Sequence, residues 1–395
     1  MVTPGDTPAR SVAILGSTGS VGENTVDLIA RHPGRFEVIA LAAHRNAVRL
    51  AAQARQLKPK FVAIGDPQQY AELKDLLSGS GIEVAAGPDA VCQAARLPSQ
   101  WVMAAIVGAA GLRATWCAVE RGAIVAFANK ECLVSAGEVF MAAVRRHGAT
   151  LLPVDSEHNA IFQVFQADQR QSISRVILTA SGGPFRTHSR AEMARATPAQ
   201  AVAHPNWSMG AKISVDSATM VNKSLEIIEA SHLFGLPSEG IDVVVHPQSV
   251  VHSMVEYADG SVLAQLGTPD MRTPIAYALA WPDRMPAPTA RLDLAKLGSL
   301  TFEAPDQDRF PALRLAREAL RIGGSAATIF NAANEVAVDL FLTGAIGFLD
   351  IVSISERVLA GMTARPLAGL DDVLAIDAEA RIKATEAGKL KRAAE

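Results

Sequence analysis

The sequence predicts an α/β protein in three parts: an N-terminal doubly wound parallel sheet, a central α+β segment and a C-terminal α-helical bundle. Three observations predict it. Short β-branched runs alternate with amphipathic helical patterns up to about residue 150, as strands joined by crossover helices do. Strand-like runs and helices then mix up to residue 284. Beyond a proline-rich stretch the pattern is helical to the end. A chain of 395 residues also needs more than one core, since single cores seldom exceed about 250 residues.

In the first part, residues 1–153, the strands are read at "SVAIL", "FEVIALAA", "FVAIG", "WVMAAIVG", "AIVAFA" and "ATLLPV". This Rossmann-like half is the nucleotide-binding candidate. In the second, residues 154–284, they are read at "RVILTA", "DVVVHP", "VVHSMVEY" and "SVLAQL". The last two flank "ADG", a hairpin signal. Prolines crowd around residues 285–311 and mark a linker. Residues 312–395 carry helical runs such as "PALRLAREALRIGG" and "SAATIFNAANEVAVDLFLTG".

Composition narrows the function. The chain is 49% apolar and 19% charged, which suits a folded core. A net charge of −3 gives no electrostatic case for nucleic acid or an anionic membrane. Three cysteines without a CxxC pair argue against a disulfide framework or a structural zinc and fit a reducing compartment. The N-terminus lacks a signal-peptide pattern. The longest apolar stretch, "WVMAAIVGAAG", is far short of the roughly 20 residues of a membrane span. A soluble cytoplasmic protein is expected.

"VAILGSTGSVGENTVDLIA" places Gly16, Gly19 and Gly22 between a strand and a helix. Glycines there admit a pyrophosphate to the free N–H groups of the helix start. A plain tight turn is the alternative. After the second strand, "ALAAHRNAVRL" has no acid to bond ribose hydroxyls but has Arg45. A guanidinium suits a 2′-phosphate, so NADPH is expected over NADH. A solvated surface arginine is the alternative.

"PVDSEHNAIFQ" sets Asp155 and Glu157 one residue apart after an apolar run. At i, i+2 on an extended strand end, both carboxylates point the same way and call for a hard divalent cation. Capping of the following helix is the alternative. In "KISVDSATMVNKSLEIIEASHLFG", a strand-like "KISV" leads to Asp216 and Ser217, read as helix caps. Asn222, Lys223 and Glu226 then share one helix face. Ser217, Asn222 and Lys223 read as a phosphate cradle, with Glu226 one turn deeper as the third acid and Glu229 as an exposed competitor. An ordinary Lys–Glu surface pair is the alternative. Ser181 begins a second anion-binding turn in "LTASGGPFR". His204, Trp207 and Met209 lie in a loop near residues 202–211 that reads as a lid.

Together "GSTGSVG", "ANKECLV", "PVDSEHNAIFQ", "LTASGGPFR", "HPNWSMGAKISVDSATMVNKSLEIIEA", "VVVHPQSVVHSMVEY" and "GTPDMRTPIAYAL" resemble the 1-deoxy-D-xylulose 5-phosphate reductoisomerase family over nearly the whole chain. The resemblance implies rearrangement of that sugar phosphate and NADPH-dependent reduction to 2-C-methyl-D-erythritol 4-phosphate, in non-mevalonate isoprenoid synthesis. It also implies Mg²⁺, Mn²⁺ or Co²⁺, a homodimer, and inhibition by fosmidomycin. By motif, Asp155, Glu157 and Glu226 become metal ligands, and Ser181, Ser217, Asn222 and Lys223 phosphate ligands. Ser156 and Lys130 bind the hydroxyl and carbonyl end, with His204 and Trp207 closing over them. Thr18, Gly19, Ser20 and Val21 line the NADPH pyrophosphate, while Arg45, Asn46, Asn129, Glu131 and Gly210 complete the cofactor site. His44 stands where the family often has glycine, and Cys132 where serine is commoner.

The chemistry agrees with these groups. Breaking a carbon–carbon bond beside a ketone builds negative charge on oxygen, which a chelated dication stabilises. The alternative function is a metal-dependent sugar-phosphate isomerase without a redox step.

Overall fold

The computed structural model describes residues 8–207 and 209–394. They form two compact units. The first holds residues up to 129, 142–155 and 271–289; the second holds 130–141, 156–270 and 290 onward.

The first unit is built on seven strands: β1 (Arg10–Leu15), β2 (Phe36–Ala43), β3 (Phe61–Ile64), β4 (Glu83–Ala86), β5 (Trp101–Ala104), β6 (Ile124–Phe127) and β7 (Thr150–Pro153). Their order is β4-β3-β2-β1-β5-β6-β7, with every neighbouring pair parallel. A parallel sheet covered on both faces needs apolar residues at successive positions. Accordingly Val12, Ala13, Ile14 and Leu15 are all buried. Strand β4 escapes the sequence reading because it is a four-residue edge whose side chains are only partly buried.

The helix Arg272–Ala280 also belongs to this unit. It packs on the helix Ser20–Ala30 and on β6 and β7. The Trp101 indole donates to Ala278 O at 3.0 Å, and the Arg10 guanidinium donates to Leu279 O at 2.6 Å and Trp281 O at 2.9 Å. The sequence reading places this helix in the central segment. Its apolar pattern says that it packs on something, but not on which sheet.

The second unit contains a mixed sheet of β8 (Ile173–Ala180), β9 (Ile241–Val245), β10 (Val251–Tyr257) and β11 (Val262–Leu266), in the order β11-β10-β8-β9. Strands β8 and β9 are parallel, and β10 is antiparallel to both β8 and β11. The "ADG" turn joins β10 to β11, with Gly260 at φ 85° and Ser261 N–H donating to Asp259 Oδ1 at 2.9 Å. The helices Ala312–Ile322, Ala326–Leu342, Asp350–Gly361 and Leu370–Ala394 share one apolar core with this sheet, from Val176 and Leu178 through Phe330 and Phe341. The proline-rich stretch is not wholly a connector: Glu303 pairs with Val245 on the free side of β9.

The helix Lys130–His147 is kinked at Gly137, where φ is 34°. A Cβ at Gly137 would stand 2.6 Å from His232 Nε2, so only glycine fits.

Candidate functional site

In the first unit the chain leaves β1 at Gly16, with φ 88°. A Cβ at Gly16 would meet Ala105 O at 2.4 Å, and one at Gly22 would meet Gly16 O at 2.2 Å. Both positions exclude a side chain on steric grounds. Gly19 sits at the N-cap of the helix Ser20–Ala30. Thr18, Gly19, Ser20 and Val21 therefore run across a helix N-terminus; the Gly19 N–H donates to Gly16 O at 3.1 Å, and a helix's first turn leaves N–H groups without intrahelical partners for an anion. This turn follows β1, which lies between β2 and β5, where the strand order reverses. Open α/β sheets bind ligands at such a point.

At the end of β2, Arg45 is exposed, and its Nε donates to Asp66 at 3.1 Å. The Asn46 side chain caps the helix Ala47–Leu57 by accepting from Arg49 N–H at 3.0 Å. Asn129 is buried and donates to Ile106 O and to Gly108 O, so it ties together the chain following β5 and β6.

Strand β7 ends at Pro153 and a helix begins at Ser156 (Ser156–Val164). Glu157 therefore sits in a first helical turn, not on an extended strand as expected. The apolar run ends sooner than its hydrophobicity suggests, because the serine and the acids favour a helix start. The convergence survives the change. Carboxylate oxygens of Asp155, Glu157 and Glu226 lie within 4.8 Å of one another. Three hard oxygen donors at this separation fit a Mg²⁺- or Mn²⁺-sized ion.

Glu226 comes from the helix Val221–Phe234 and is fully buried. Asn222 Nδ2 donates to its Oε1 at 2.6 Å and Lys130 Nζ to the same oxygen at 3.0 Å. Lys223 Nζ donates to its Oε2 and lies 3.3 Å from Glu157 Oε1. Lys130 also donates to Asn222 Oδ1 at 3.0 Å. Both lysines are at least 95% buried, so the surface-pair alternative is excluded. Ser156 Oγ donates to Glu157 Oε2 at 2.6 Å. Glu229 is fully buried rather than exposed and faces His158 Nδ1 at 3.3 Å. It faces inward because this helix buries most of its circumference.

"KISV" is helical, not strand-like: it lies in the helix Ala211–Ala218. The i, i+4 pair of Lys212 and Asp216, 2.9 Å apart, was the available signal. Asp216 and Ser217 are thus not caps; Met220, at φ 63°, separates this helix from the next. The turn after β8 leans on its C-terminal end. A Cβ at Gly183, which has φ 65°, would meet Ser217 O at 2.8 Å. The turn that begins at Ser181 is thus packed against the helix end that carries Ser217.

Ser181 Oγ lies 2.8 Å from His204 Nε2. His204 Nδ1 accepts the N–H groups of Asn206 and Trp207 at 3.2 and 3.0 Å. Nδ1 is therefore unprotonated and Nε2–H donates to Ser181. Burial lowers the His204 pKa, which favours the same neutral form. Asn206 donates to Pro247 O at 2.6 Å and to Ser249 Oγ at 3.0 Å, anchoring the loop that carries His204 and Trp207. Ser208 lies outside the described residues.

Two groups here were missed from sequence. His252 is buried on β10, 6.0 Å from the Trp207 ring, and burial pushes its pKa down to about 4. Lys212 donates to Glu131 at 2.6 Å. Burial alone would raise the Glu131 carboxyl, but the Lys212 charge holds it below the usual range. Both lie in stretches already singled out, but their partners Glu131 and Trp207 are distant in sequence, so the contacts themselves could not be read from it.

Family models described as 1-deoxy-D-xylulose 5-phosphate reductoisomerase, its C-terminal domain, and DXP reductoisomerase C-terminal domain match residues 12–137, 151–234 and 266–383. A 1-deoxy-D-xylulose 5-phosphate reductoisomerase from Rhodospirillum centenum is 67% identical over 377 residues, 95% of this chain and 94% of that protein. The chain belongs to the 1-deoxy-D-xylulose 5-phosphate reductoisomerase family. The Zymomonas mobilis reductoisomerase solved in complex with NADPH is 56% identical, with a TM-score of 0.92 over 96% of this chain and 99% of that one. A reductoisomerase structure in complex with NADPH, fosmidomycin and magnesium is 44% identical, with a TM-score of 0.93 over 96% of this chain and 98% of that one. The family read from the motifs and the predicted fold class both hold.

Proposed function

We infer that this chain converts 1-deoxy-D-xylulose 5-phosphate to 2-C-methyl-D-erythritol 4-phosphate, with NADPH as reductant and a divalent cation as cofactor. The observation that carries the reading is the convergence of Asp155, Glu157 and Glu226 within 4.8 Å in a chain of this family. An isomerase without a redox step is not favoured, since it would leave the glycine turn and Arg45 without a purpose.

We assign the metal to Asp155, Glu157 and Glu226. Bound there, a dication supplies Lewis acidity toward the substrate oxygens. The chain's own groups do the rest. Ser181, Ser217, Asn222 and Lys223 hold the phosphate; the Ser181 hydroxyl is already oriented by His204 and by the Gly183 N–H at 3.1 Å. Ser156 and Lys130 take the hydroxyl and carbonyl end, where the Lys130 ammonium supports the shifting hydroxyl proton. A Lys130→Ala variant with near-normal turnover would rule that role out. His204 and Trp207 cover the substrate and exclude water. Thr18–Val21, Arg45, Asn46, Asn129, Glu131 and Gly210 serve NADPH, with Asn129 acting by fixing its loop.

The chain works as a homodimer in the cytoplasm. Supporting the dimer, β11 is a sheet edge that exposes Val262, Leu263 and Leu266, and natural proteins seldom leave such an edge bare. Among the described residues no helix is long and apolar enough to cross a membrane. The test is NADPH absorbance with the sugar phosphate, in Mn²⁺ and then in EDTA. Substrate- and metal-dependent loss of absorbance supports the reading; loss that persists in EDTA contradicts it.

A further inference from the structure

The helix Ala326–Leu342 is mostly buried and rich in alanine, yet it carries a polar stripe. Thr328, Asn331 and Asn334 recur every third residue, and all three are fully buried. Burying such groups is costly unless they hold something. Thr328 Oγ1 donates to Ser135 O at 2.7 Å and Asn331 Nδ2 to Ser135 Oγ at 3.2 Å. Asn334 Nδ2 donates to Asp216 Oδ1 at 2.8 Å.

The last of these contacts leads toward the substrate groups. Asp216 directly precedes Ser217. Its other oxygen, Oδ2, is 2.9 Å from Lys212 Nζ, which also donates to Glu131 Oε1 at 2.6 Å. Glu131 directly follows Lys130. Burial alone would lower the Lys212 pKa, but Asp216 and Glu131 hold it above the ordinary lysine value. One chain of contacts, Asn334–Asp216–Lys212–Glu131, thus ties a C-terminal helix to the helix leaving the lid and to the helix start bearing Lys130.

We propose that Asn334 is a positioning residue for the sugar phosphate: it clamps Asp216, and so sets where Ser217 and, through Lys212 and Glu131, Lys130 meet the substrate. The inference rests on the roles given above to Ser217 and Lys130. It gives the C-terminal helices a part in catalysis beyond stability, without touching substrate.

The test uses the full-length protein at pH 8 with Mn²⁺. Asn334→Asp sets a carboxylate against Asp216 and breaks the clamp. The expected result is a KM for 1-deoxy-D-xylulose 5-phosphate raised about tenfold, the order expected for one lost hydrogen bond to a charged group, with a smaller rise in the NADPH KM, because Glu131 at the far end of the chain also serves the cofactor. The paired variant Asp216→Asn/Asn334→Asp exchanges amide and carboxylate across the same bond and should recover most of that loss. Should Asn334→Asp not fold, Asn334→Ser, which is too short to reach Asp216, reads the same KM. A purely structural role predicts instead a lower Tm and less active protein with both KM values unchanged and no recovery in the pair; that result overturns the proposal. If wild type turns over normally and only the variants disagree, the positioning role alone fails. If wild type does not consume NADPH with this substrate, the functional reading fails and the proposal falls with it.

Discussion

Glu226→Gln is the most informative single change at the acid cluster. It keeps the shape and removes one charge. In the structure Glu226 is fully buried and accepts from Lys130, Asn222 and Lys223. The amide keeps one acceptor oxygen and turns an NH₂ group toward an ammonium. Breaking a buried pair costs about 3–5 kcal/mol. Here the loss is tempered, because Lys223 still faces Glu157 at 3.3 Å and Lys130 still donates to Asn222 at 3.0 Å. A destabilisation of about 2–3 kcal/mol is expected, worth roughly 5–10 °C in Tm. The metal effect is larger. Loss of a groups that merely orients a ligand weakens metal binding about 10–100-fold, so loss of a ligand should weaken Mn²⁺ binding by at least about 100-fold. Calorimetric titration with Mn²⁺ and melting by circular dichroism read the two separately. Glu229→Gln, one turn further along, should retain more Mn²⁺ affinity. Mn²⁺ affinity of Glu226→Gln equal to that of wild type would refute the assignment.

Other outcomes follow from the same geometry. Gly22→Ala drives a Cβ to 2.2 Å from Gly16 O and 2.5 Å from Ser17 Cα; the turn must open, and NADPH binding measured by fluorescence titration should be lost before the sheet unfolds. Arg45→Ala should raise the NADPH KM about tenfold, as expected for one charge-assisted bond, leave the NADH KM unchanged, and hardly alter Tm, because its partner Asp66 is a surface pair. His252, lowered by burial from 6.5 to about 4, binds its proton more weakly folded than unfolded. It therefore makes stability fall as pH drops from about 6.5 toward about 4. His252→Gln should flatten that part of the curve in urea melts at stepped pH.

Much of this was legible in the sequence because the signals were local. The glycine turn, the alternation of strands and helices, and the shared face of Asn222, Lys223 and Glu226 depend on neighbours along the chain. The readings that changed depend on distant partners. "KISV" looks extended by residue type, but Lys212 and Asp216 are held in a helix that Asn334 braces from 118 residues away. Glu229 looked like a surface acid until the helix around it proved buried on nearly every side. The helix Arg272–Ala280 carries no mark of which sheet it covers. The Asn334 stripe was invisible for the same reason: buried amides acquire meaning only from what they touch.

The most direct test of the central claim is single-turnover NADPH oxidation on metal-stripped protein, read at increasing Mn²⁺ with 1-deoxy-D-xylulose 5-phosphate present. No oxidation is expected without metal, with a rise that saturates with Mn²⁺ and 2-C-methyl-D-erythritol 4-phosphate formed in equal amount to NADPH consumed. Oxidation at full rate in the stripped protein would contradict the claim.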